Sequence, residues 1–168
     1  MFRLGLSGTN WTGKTETIQR FVRAHSALDI EVVSLSSLVM RCPFPMVTDQ
    51  TIDGSRWMVD QVRGVCADNS VEIGLFDRTP LDILAFTLYA GDRTGERGED
   101  VLDDCVKLIE SFDSVFYLPT SDEWPVGVSP EVSQISFARQ MDGYIRKAIG
   151  EFSLAVTELP WMLDRRQE

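Results

Sequence analysis

Eight residues near the amino terminus constrain this chain more than any other part of its sequence. One run matches every fixed position of the pattern GxxxxGK[ST], known as the P-loop: Gly8-Thr9-Asn10-Trp11-Thr12-Gly13-Lys14-Thr15. The run follows a short apolar segment, Phe2 to Leu6, and precedes a segment with helical periodicity, Lys14 to Ala24. Because a P-loop joins a strand to a helix, this context predicts an α/β domain that opens with a strand, a phosphate-binding turn and a helix.

The residue types in this loop predict how it would hold a triphosphate. Glycines let the backbone curl until several N–H groups converge on one phosphate, and the following helix adds the positive end of its dipole. The Lys14 ammonium would reach the β- and γ-phosphates, and the Thr15 hydroxyl would be a ligand of Mg²⁺. Trp11 would either shield the phosphates or cap the fold. All eight residues, 8–15, are therefore predicted to bind ATP, with Mg²⁺ as its companion ion.

Strand and helix patterns alternate along the rest of the chain. Apolar and β-branched runs predict four further strands, at 30–35, 71–76, 114–118 and 153–159. Helical periodicity predicts helices at 51–67, 80–91, 101–112 and 131–150. Proline, glycine and charged residues predict loops at 40–48, 91–100 and 120–130. This order predicts a three-layer α/β fold of the P-loop NTPase type, with a five-stranded parallel sheet flanked by helices.

Length and composition predict one domain. The chain has 168 residues, of which 43% are hydrophobic and 25% charged, as in an ordinary globular protein. We assign residues 1–163 to a single P-loop domain and 164–168 to a charged tail. The cysteines at 42, 66 and 105 are odd in number and widely spaced, which predicts free thiols rather than disulfides or a zinc site.

The charge balance limits the classes of partner. A net charge of −10 disfavours nucleic acid, because a phosphate backbone requires a basic surface. It does not exclude a small anionic substrate, for which a few Lys and Arg side chains suffice. Neither a signal peptide nor a membrane-spanning apolar run of about 18 residues is predicted, so a cytoplasmic location is expected.

A second chemical signature follows the third predicted strand, in the run Asp77-Arg78-Thr79-Pro80-Leu81-Asp82. An acid at the carboxyl end of a strand beside the P-loop strand lies where open α/β sheets bind ligands. Asp77 would either join the Mg²⁺ shell or accept a proton from a substrate hydroxyl, and Arg78 would clamp an anionic group. The plainer alternative is an acid that caps a helix beside a surface arginine.

With these two motifs the chain resembles the P-loop kinase group of nucleoside and nucleotide kinases. It is most similar to the small AAA-like ATPase/kinase family that includes the nicotinamide riboside kinase domains. The resemblance implies an ATP-dependent phosphotransferase in which Asp77 and Arg78 are catalytic, Asp77 by metal or base chemistry and Arg78 at the substrate. Lys14 is also predicted to be catalytic, on the P-loop pattern itself.

Two departures from that group affect the predicted roles. Many nucleoside kinases have a carboxylate after the second strand, where this chain has Ser34-Leu35-Ser36, and this moves the base role towards Asp77. Their lid holds several arginines, whereas only Arg139, Arg146 and Lys147 lie between residues 120 and 150 here. Arg139 is the best lid candidate, although a solvated charged face explains it almost as well.

The expected function is transfer of the γ-phosphoryl group from ATP to a nucleoside, a nucleotide or a similar metabolite. The alternative is a regulatory ATPase acting on a protein partner, which would carry a strand-terminal Asp-Glu pair; here Arg78 follows Asp77. A third class binds nucleotide without turnover. ATP is favoured over GTP because no guanine-reading motif follows the fourth strand. The apolar helix at 81–90 would suit either the core or a homodimer face.

Overall fold

The computed structural model describes residues 1–67, 71–121 and 130–160. Five strands are present in these residues: β1 Phe2–Ser7, β2 Ile30–Ser34, β3 Ile73–Asp77, β4 Ser114–Tyr117 and β5 Thr157–Glu158. They form one sheet in the order β2-β3-β1-β4-β5, and every neighbouring pair is parallel. The predicted fold class, a five-stranded parallel α/β sheet, is confirmed.

Helices occupy the connections between the strands. They are α1 Lys14–Ala24, α2 Ser36–Val39, α3 Ile52–Ala67, α4 Pro80–Thr94, α5 Glu99–Glu110 and α6 Val132–Glu151, with a 3₁₀ turn at Val47–Asp49. Parallel strands require such crossovers, because the chain must return to the same end of the sheet before each new strand. The sheet therefore has helices on both faces.

The side chains of β3 point alternately to the two faces of the sheet, and the hydrophobic core has one cluster on each face. Phe76 points into the larger cluster, which also holds residues of α3, α4, α5 and α6, such as Val62 and Leu84. Leu75 points the other way, into a smaller cluster with Leu6 of β1 and Ile18 of α1. Successive residues of a strand face opposite sides, so this one short apolar run supplies both clusters. The three layers are thus α1, the sheet, and the four longer helices.

The predicted loop at 91–100 is wrong in its extent. Helix α4 continues through Gly91 to Thr94, and α5 begins at Glu99, so only residues 95–98 connect them. The helix ends at Gly95, whose φ of 81° is the left-handed conformation that glycine adopts without strain. Gly91 resembled a helix end in the sequence, but its carbonyl accepts the hydrogen bond from Gly95 N.

The fifth strand is shorter than predicted, Thr157–Glu158 instead of 153–159. Ser153 has a φ of 51°, and Leu154 N donates to the Ile149 carbonyl. These residues therefore complete the carboxyl end of α6 and do not join the sheet. Most of the predicted loop at 120–130 and the predicted tail at 164–168 lie outside the described residues.

Two further sequence predictions concern cysteines and membranes. Cys66 and Cys105 are buried free thiols and Cys42 is half-buried and free, as predicted. Burial raises the pKa of the Cys105 thiol, which favours its neutral form. Across the part of the chain that the structure describes, each helix is either too short or too polar to cross a bilayer.

Gly143, inside α6, gives a prediction about stability. A Cβ added there would meet nothing within 4 Å, so Gly143→Ala should raise the free energy of unfolding by about 0.5–1 kcal/mol through helix propensity. Gly91, inside α4, is the matched comparison. The Cβ added by Gly91→Ala would lie 2.7 Å from the Glu96 carbonyl oxygen. Urea denaturation should show a gain for the first variant and a loss for the second; a loss for both would contradict the argument.

Candidate functional site

The P-loop begins where the central strand is held from both sides. Leu118 N donates to the Ser7 carbonyl at 2.9 Å, and Arg78 N donates to the Leu6 carbonyl at 3.0 Å. The hydroxyls of Ser7 and Thr79 are 2.5 Å apart. The end of β1, from which the loop leaves, is therefore fixed against the chain at the ends of β3 and β4.

The backbone of the loop uses conformations that most side chains avoid. Gly8 has a φ of 143°, and a Cβ there would overlap the Leu118 carbonyl oxygen. Gly13 has a φ of 81° immediately before α1, and Trp11 has a φ of 62°. Left-handed residues turn successive N–H groups towards one side, which is the geometry of an anion-binding nest. The two glycines of the motif are thus required by backbone shape.

The Lys14 side chain is buried inside the loop that precedes it, with only 7% of its surface exposed. Its ammonium donates to the Gly8 carbonyl at 2.7 Å, the Thr9 carbonyl at 2.5 Å and the Thr12 hydroxyl at 3.3 Å. A buried ammonium requires such acceptors, because desolvation without them is costly. The contacts place a positive charge within the turn where phosphates are expected.

Thr15 and Asp77, the predicted metal ligands, occupy the ends of neighbouring elements. Thr15 is exposed at the start of α1, one residue after Lys14. Asp77 is half-buried at the end of β3, in register with Leu6 of β1 and Ser34 of β2. One hydroxyl and one carboxylate beside a triphosphate suit Mg²⁺, which keeps several waters and takes few protein ligands. No cluster of three acidic, His or Cys side chains occurs in the described residues.

Arg78 connects the end of β3 to the P-loop and to α2. Its Nε donates to the Ser36 hydroxyl at 3.0 Å, and one terminal nitrogen donates to the Asn10 side-chain oxygen at 2.7 Å. The other terminal nitrogen is 3.4 Å from the Gly8 carbonyl oxygen. The residue has a φ of 72°, an unusual conformation outside glycine that turns the chain sharply after β3. The structure therefore places this predicted substrate residue directly against the P-loop.

Asp82 is a site residue to which the sequence analysis gave no role. It is 4% exposed, and its carboxylate accepts from Gly8 N at 3.2 Å and from Thr79 N at 2.8 Å. Thr79 caps α4 in return by accepting from Leu81 N, and the pair forms a capping box. The Thr-x-x-Asp spacing before an apolar run was the available signal. The bond to Gly8 joins this cap to the phosphate loop, and the sequence did not indicate that contact.

A cavity of about 540 Å³ lies beside the P-loop. Residues 8–11 form one end of it, together with Arg78 and Asp82, and the walls come from α2, α3, α4 and α6. Gln50 also lines it. Its side-chain oxygen accepts from Val47 N at 3.2 Å, and its side-chain nitrogen donates to the Ser55 hydroxyl at 3.0 Å. The volume falls in the range of pockets that hold small organic ligands.

Arg139, the predicted lid residue, lies outside this cavity wall. It is exposed on α6, one position after Ala138, which does line the cavity. The residues of α6 that do line the cavity are Ser133, Gln134, Phe137, Ala138, Met141 and Ile145. The role of Arg139 as a lid residue stays a prediction.

Arg146 and Lys147, the other basic residues of α6, contact acids of α6, β5 and α4. Arg146 is 3.2 Å from Asp142 and 3.3 Å from Glu158 of β5, and Lys147 is 3.3 Å from Asp92 of α4. Asp142 also accepts from the Tyr117 hydroxyl at 2.5 Å and from Thr120 N at 2.9 Å. This group of contacts joins α6 to the carboxyl end of β4.

The Tyr117 hydroxyl in this group supports a prediction about stability and pH. Tyr117→Phe removes a donor from the buried Asp142 carboxylate and should lower the free energy of unfolding by about 1–2 kcal/mol at pH 7. Burial, and then the hydrogen bond to Asp142, raise the pKa of Tyr117. Because the pKa of Tyr117 is higher in the native state than in the unfolded state, its contribution to the free energy of unfolding is complete below pH about 10. Above that pH the tyrosine of the unfolded chain ionises, and the contribution declines. Urea denaturation should show the wild-type advantage shrinking above that pH; a constant difference would contradict this.

The fold is shared with solved structures of nucleoside and nucleotide kinases. Deoxyadenosine kinase from M. mycoides, solved with dCMP and dCDP, is 13% identical, with a TM-score of 0.62 over 99% of this chain and 94% of that chain. Thymidylate kinase from Ehrlichia chaffeensis is 11% identical, with a TM-score of 0.61 over 94% of this chain and 86% of that chain.

A NadR protein in complex with NR also matches, at 14% identity and a TM-score of 0.66. The alignment covers 94% of this chain but 45% of the NadR chain, so this chain spans less than half of that protein. No protein-family model and no curated protein sequence matches the chain. At such identities the likeness establishes the fold.

Proposed function

We propose that the protein transfers the γ-phosphoryl group of ATP to a small metabolite of the nucleoside or nucleotide class. The observation that carries this proposal is the shared boundary between two sites. Loop residues 8–11 belong both to the P-loop and to the end of the 540 Å³ cavity. A phosphoryl donor on the loop and an acceptor in the cavity would therefore meet at this boundary, as an in-line transfer requires.

The donor side of the proposal rests on the loop itself. The backbone N–H groups and the positive end of α1 would hold the β-phosphate, and Lys14 would exchange its carbonyl partners for phosphate oxygens. Thr15 and Asp77 would hold Mg²⁺, which neutralises charge on the β- and γ-phosphates when bound. Binding by all eight loop residues remains part of the proposal.

The acceptor side rests on the residues at the cavity's P-loop end. Arg78 would position the acceptor beside the γ-phosphate, and Asp77 would accept the proton of the attacking hydroxyl. Arg139 would add charge stabilisation on the phosphates. The solved kinases with the same fold support this class of reaction.

A regulatory ATPase acting on a protein partner is the second candidate. Hydrolysis needs only a water molecule next to the γ-phosphate. A regulatory ATPase would therefore not require a cavity lined by side chains from four helices. The cavity therefore favours a small organic acceptor.

The test is a phosphate-transfer screen with Mg²⁺-ATP against nucleosides, their monophosphates and nicotinamide riboside. The proposal expects one acceptor to be phosphorylated, and Asp77→Asn to lose transfer while retaining ATP binding in a thermal-shift assay. Asp60→Asn, at an exposed ion pair on α3, is the matched control and should behave as wild type. ATP hydrolysis without an acceptor product, at the same rate with and without acceptors, would favour the regulatory ATPase instead.

A further inference from the structure

We propose that the acceptor is an uncharged, aromatic compound of nucleoside size, and that phosphorylated acceptors such as nucleoside monophosphates are excluded. The inference rests on the proposed function and chooses within its substrate class. It follows from the charges that line the 540 Å³ cavity and from the partners those charges already have.

Positive charge is scarce in the cavity wall. Among the described residues that line it, Arg78 is the only Lys or Arg. Its guanidinium already donates to Ser36 and Asn10, and a terminal nitrogen lies 3.6 Å from the Asp82 carboxylate. The positive charge of Arg78 is therefore balanced by Asp82 in the same wall, and its donors are largely used.

The residues of α6 that line the cavity add no cation. Ser133, Gln134 and Phe137 are uncharged, and Arg139 is not among the wall residues.

A monophosphate in this cavity would be a poorly compensated anion. Burying a charge without a partner is strongly unfavourable, and the triphosphate of ATP on the adjacent loop would repel it further. A neutral acceptor avoids both costs.

The remaining wall suits a planar apolar group. Three aromatic side chains line the cavity, Trp11 from the loop, Phe86 from α4 and Phe137 from α6. Met58 and Met141, whose flexible side chains adapt to the shape of a ligand, complete the apolar lining. Aromatic rings gain from stacking and edge contacts in such a site, so a nucleobase or a similar heterocycle is the chemistry that fits.

The test compares nucleosides with their own 5′-monophosphates as acceptors for Mg²⁺-ATP. Adenosine, cytidine, their 2′-deoxy forms and thymidine are each paired with their own 5′-monophosphate, so that the base and the sugar are the same within a pair and the 5′-phosphate is the difference. For the best pair we expect kcat/KM for the nucleoside to exceed that for the monophosphate at least about 100-fold. A monophosphate accepted equally well or better would overturn the inference and leave phosphoryl transfer established. If no compound of either set were phosphorylated by protein that binds ATP, but the wider screen found another acceptor, the inference alone would fall. No acceptor in either experiment would remove the proposed function as well.

A charge-adding variant tests the cause of the preference. Ser133 is exposed at the cavity wall, so Ser133→Arg should place a cation there without disturbing the core, and Ser133→Gln adds length without charge. We expect Ser133→Arg to raise the monophosphate-to-nucleoside ratio of kcat/KM about tenfold and Ser133→Gln to leave it unchanged. An equal effect of both variants, or none from either, would show that charge does not set the preference and would overturn the inference.

Discussion

Lys14→Ala is expected to reduce phosphoryl transfer roughly 10³-fold, the largest effect that we predict on activity. The ammonium is buried within the P-loop and touches the carbonyl oxygens of Gly8 and Thr9, so it is positioned to neutralise the transferring group. The variant should also weaken ATP binding. Steady-state transfer to the best acceptor and a thermal shift with Mg²⁺-ATP would measure the two losses.

Lys107→Ala is the matched control for this experiment. Lys107 is exposed on α5 and is 3.9 Å from Asp104, a weak surface contact far from the loop in sequence. Its replacement should leave both transfer and ATP binding unchanged. If Lys14→Ala retained more than a tenth of the wild-type transfer rate, the P-loop assignment of the donor site would be wrong.

Asp82→Ala is expected to lower the free energy of unfolding by about 3 kcal/mol, the largest effect on stability. Removing this carboxylate leaves the N–H groups of Gly8 and Thr79 without their acceptor in a buried position. The P-loop should become less ordered as well, because one of its anchors to α4 is lost. Urea denaturation measures the first effect, and the dissociation constant of ATP measures the second.

Two comparisons separate the role of Asp82 from a general effect of removing an acid. Asp82→Asn keeps one oxygen acceptor and should lose about half as much stability as the alanine variant. Asp60→Ala removes an exposed carboxylate and should change stability by less than about 1 kcal/mol. An Asp82→Ala protein as stable as wild type would contradict the anchoring role.

The features that followed from the sequence are those set by backbone geometry and local pattern. Gly8 and Gly13 have the positive φ angles that a P-loop requires, and the strand predicted at 71–76 from its apolar residues is observed at 73–77. The position of Asp77 at the end of a strand next to β1 was predicted correctly because parallel strands share one carboxyl edge. Its chemical role remains a prediction.

The features that did not follow depend on contacts between distant parts of the chain. Asp82 reaches Gly8 across 74 positions, and nothing local to either residue indicates that pairing. The rotation of α6 about its axis decides that Ala138 lines the cavity while Arg139 is exposed. The periodicity of the sequence did not determine that rotation, because the cavity is formed by four helices together. The extent of α4 past Gly91 is a local exception, because the left-handed cap that ends the helix is at Gly95 and not at Gly91.

The order of the strands has a consequence for how the protein opens. β1 has β3 on one side and β4 on the other, whereas β2 and β5 form the edges of the sheet. Fraying begins at edges, where backbone hydrogen bonds are exposed, so the amide protons of β1 should be among the last to exchange with solvent. The loop at 8–15 leaves from this most protected strand. Partial opening at either edge would therefore leave the nucleotide-binding turn attached to the part of the molecule that unfolds last.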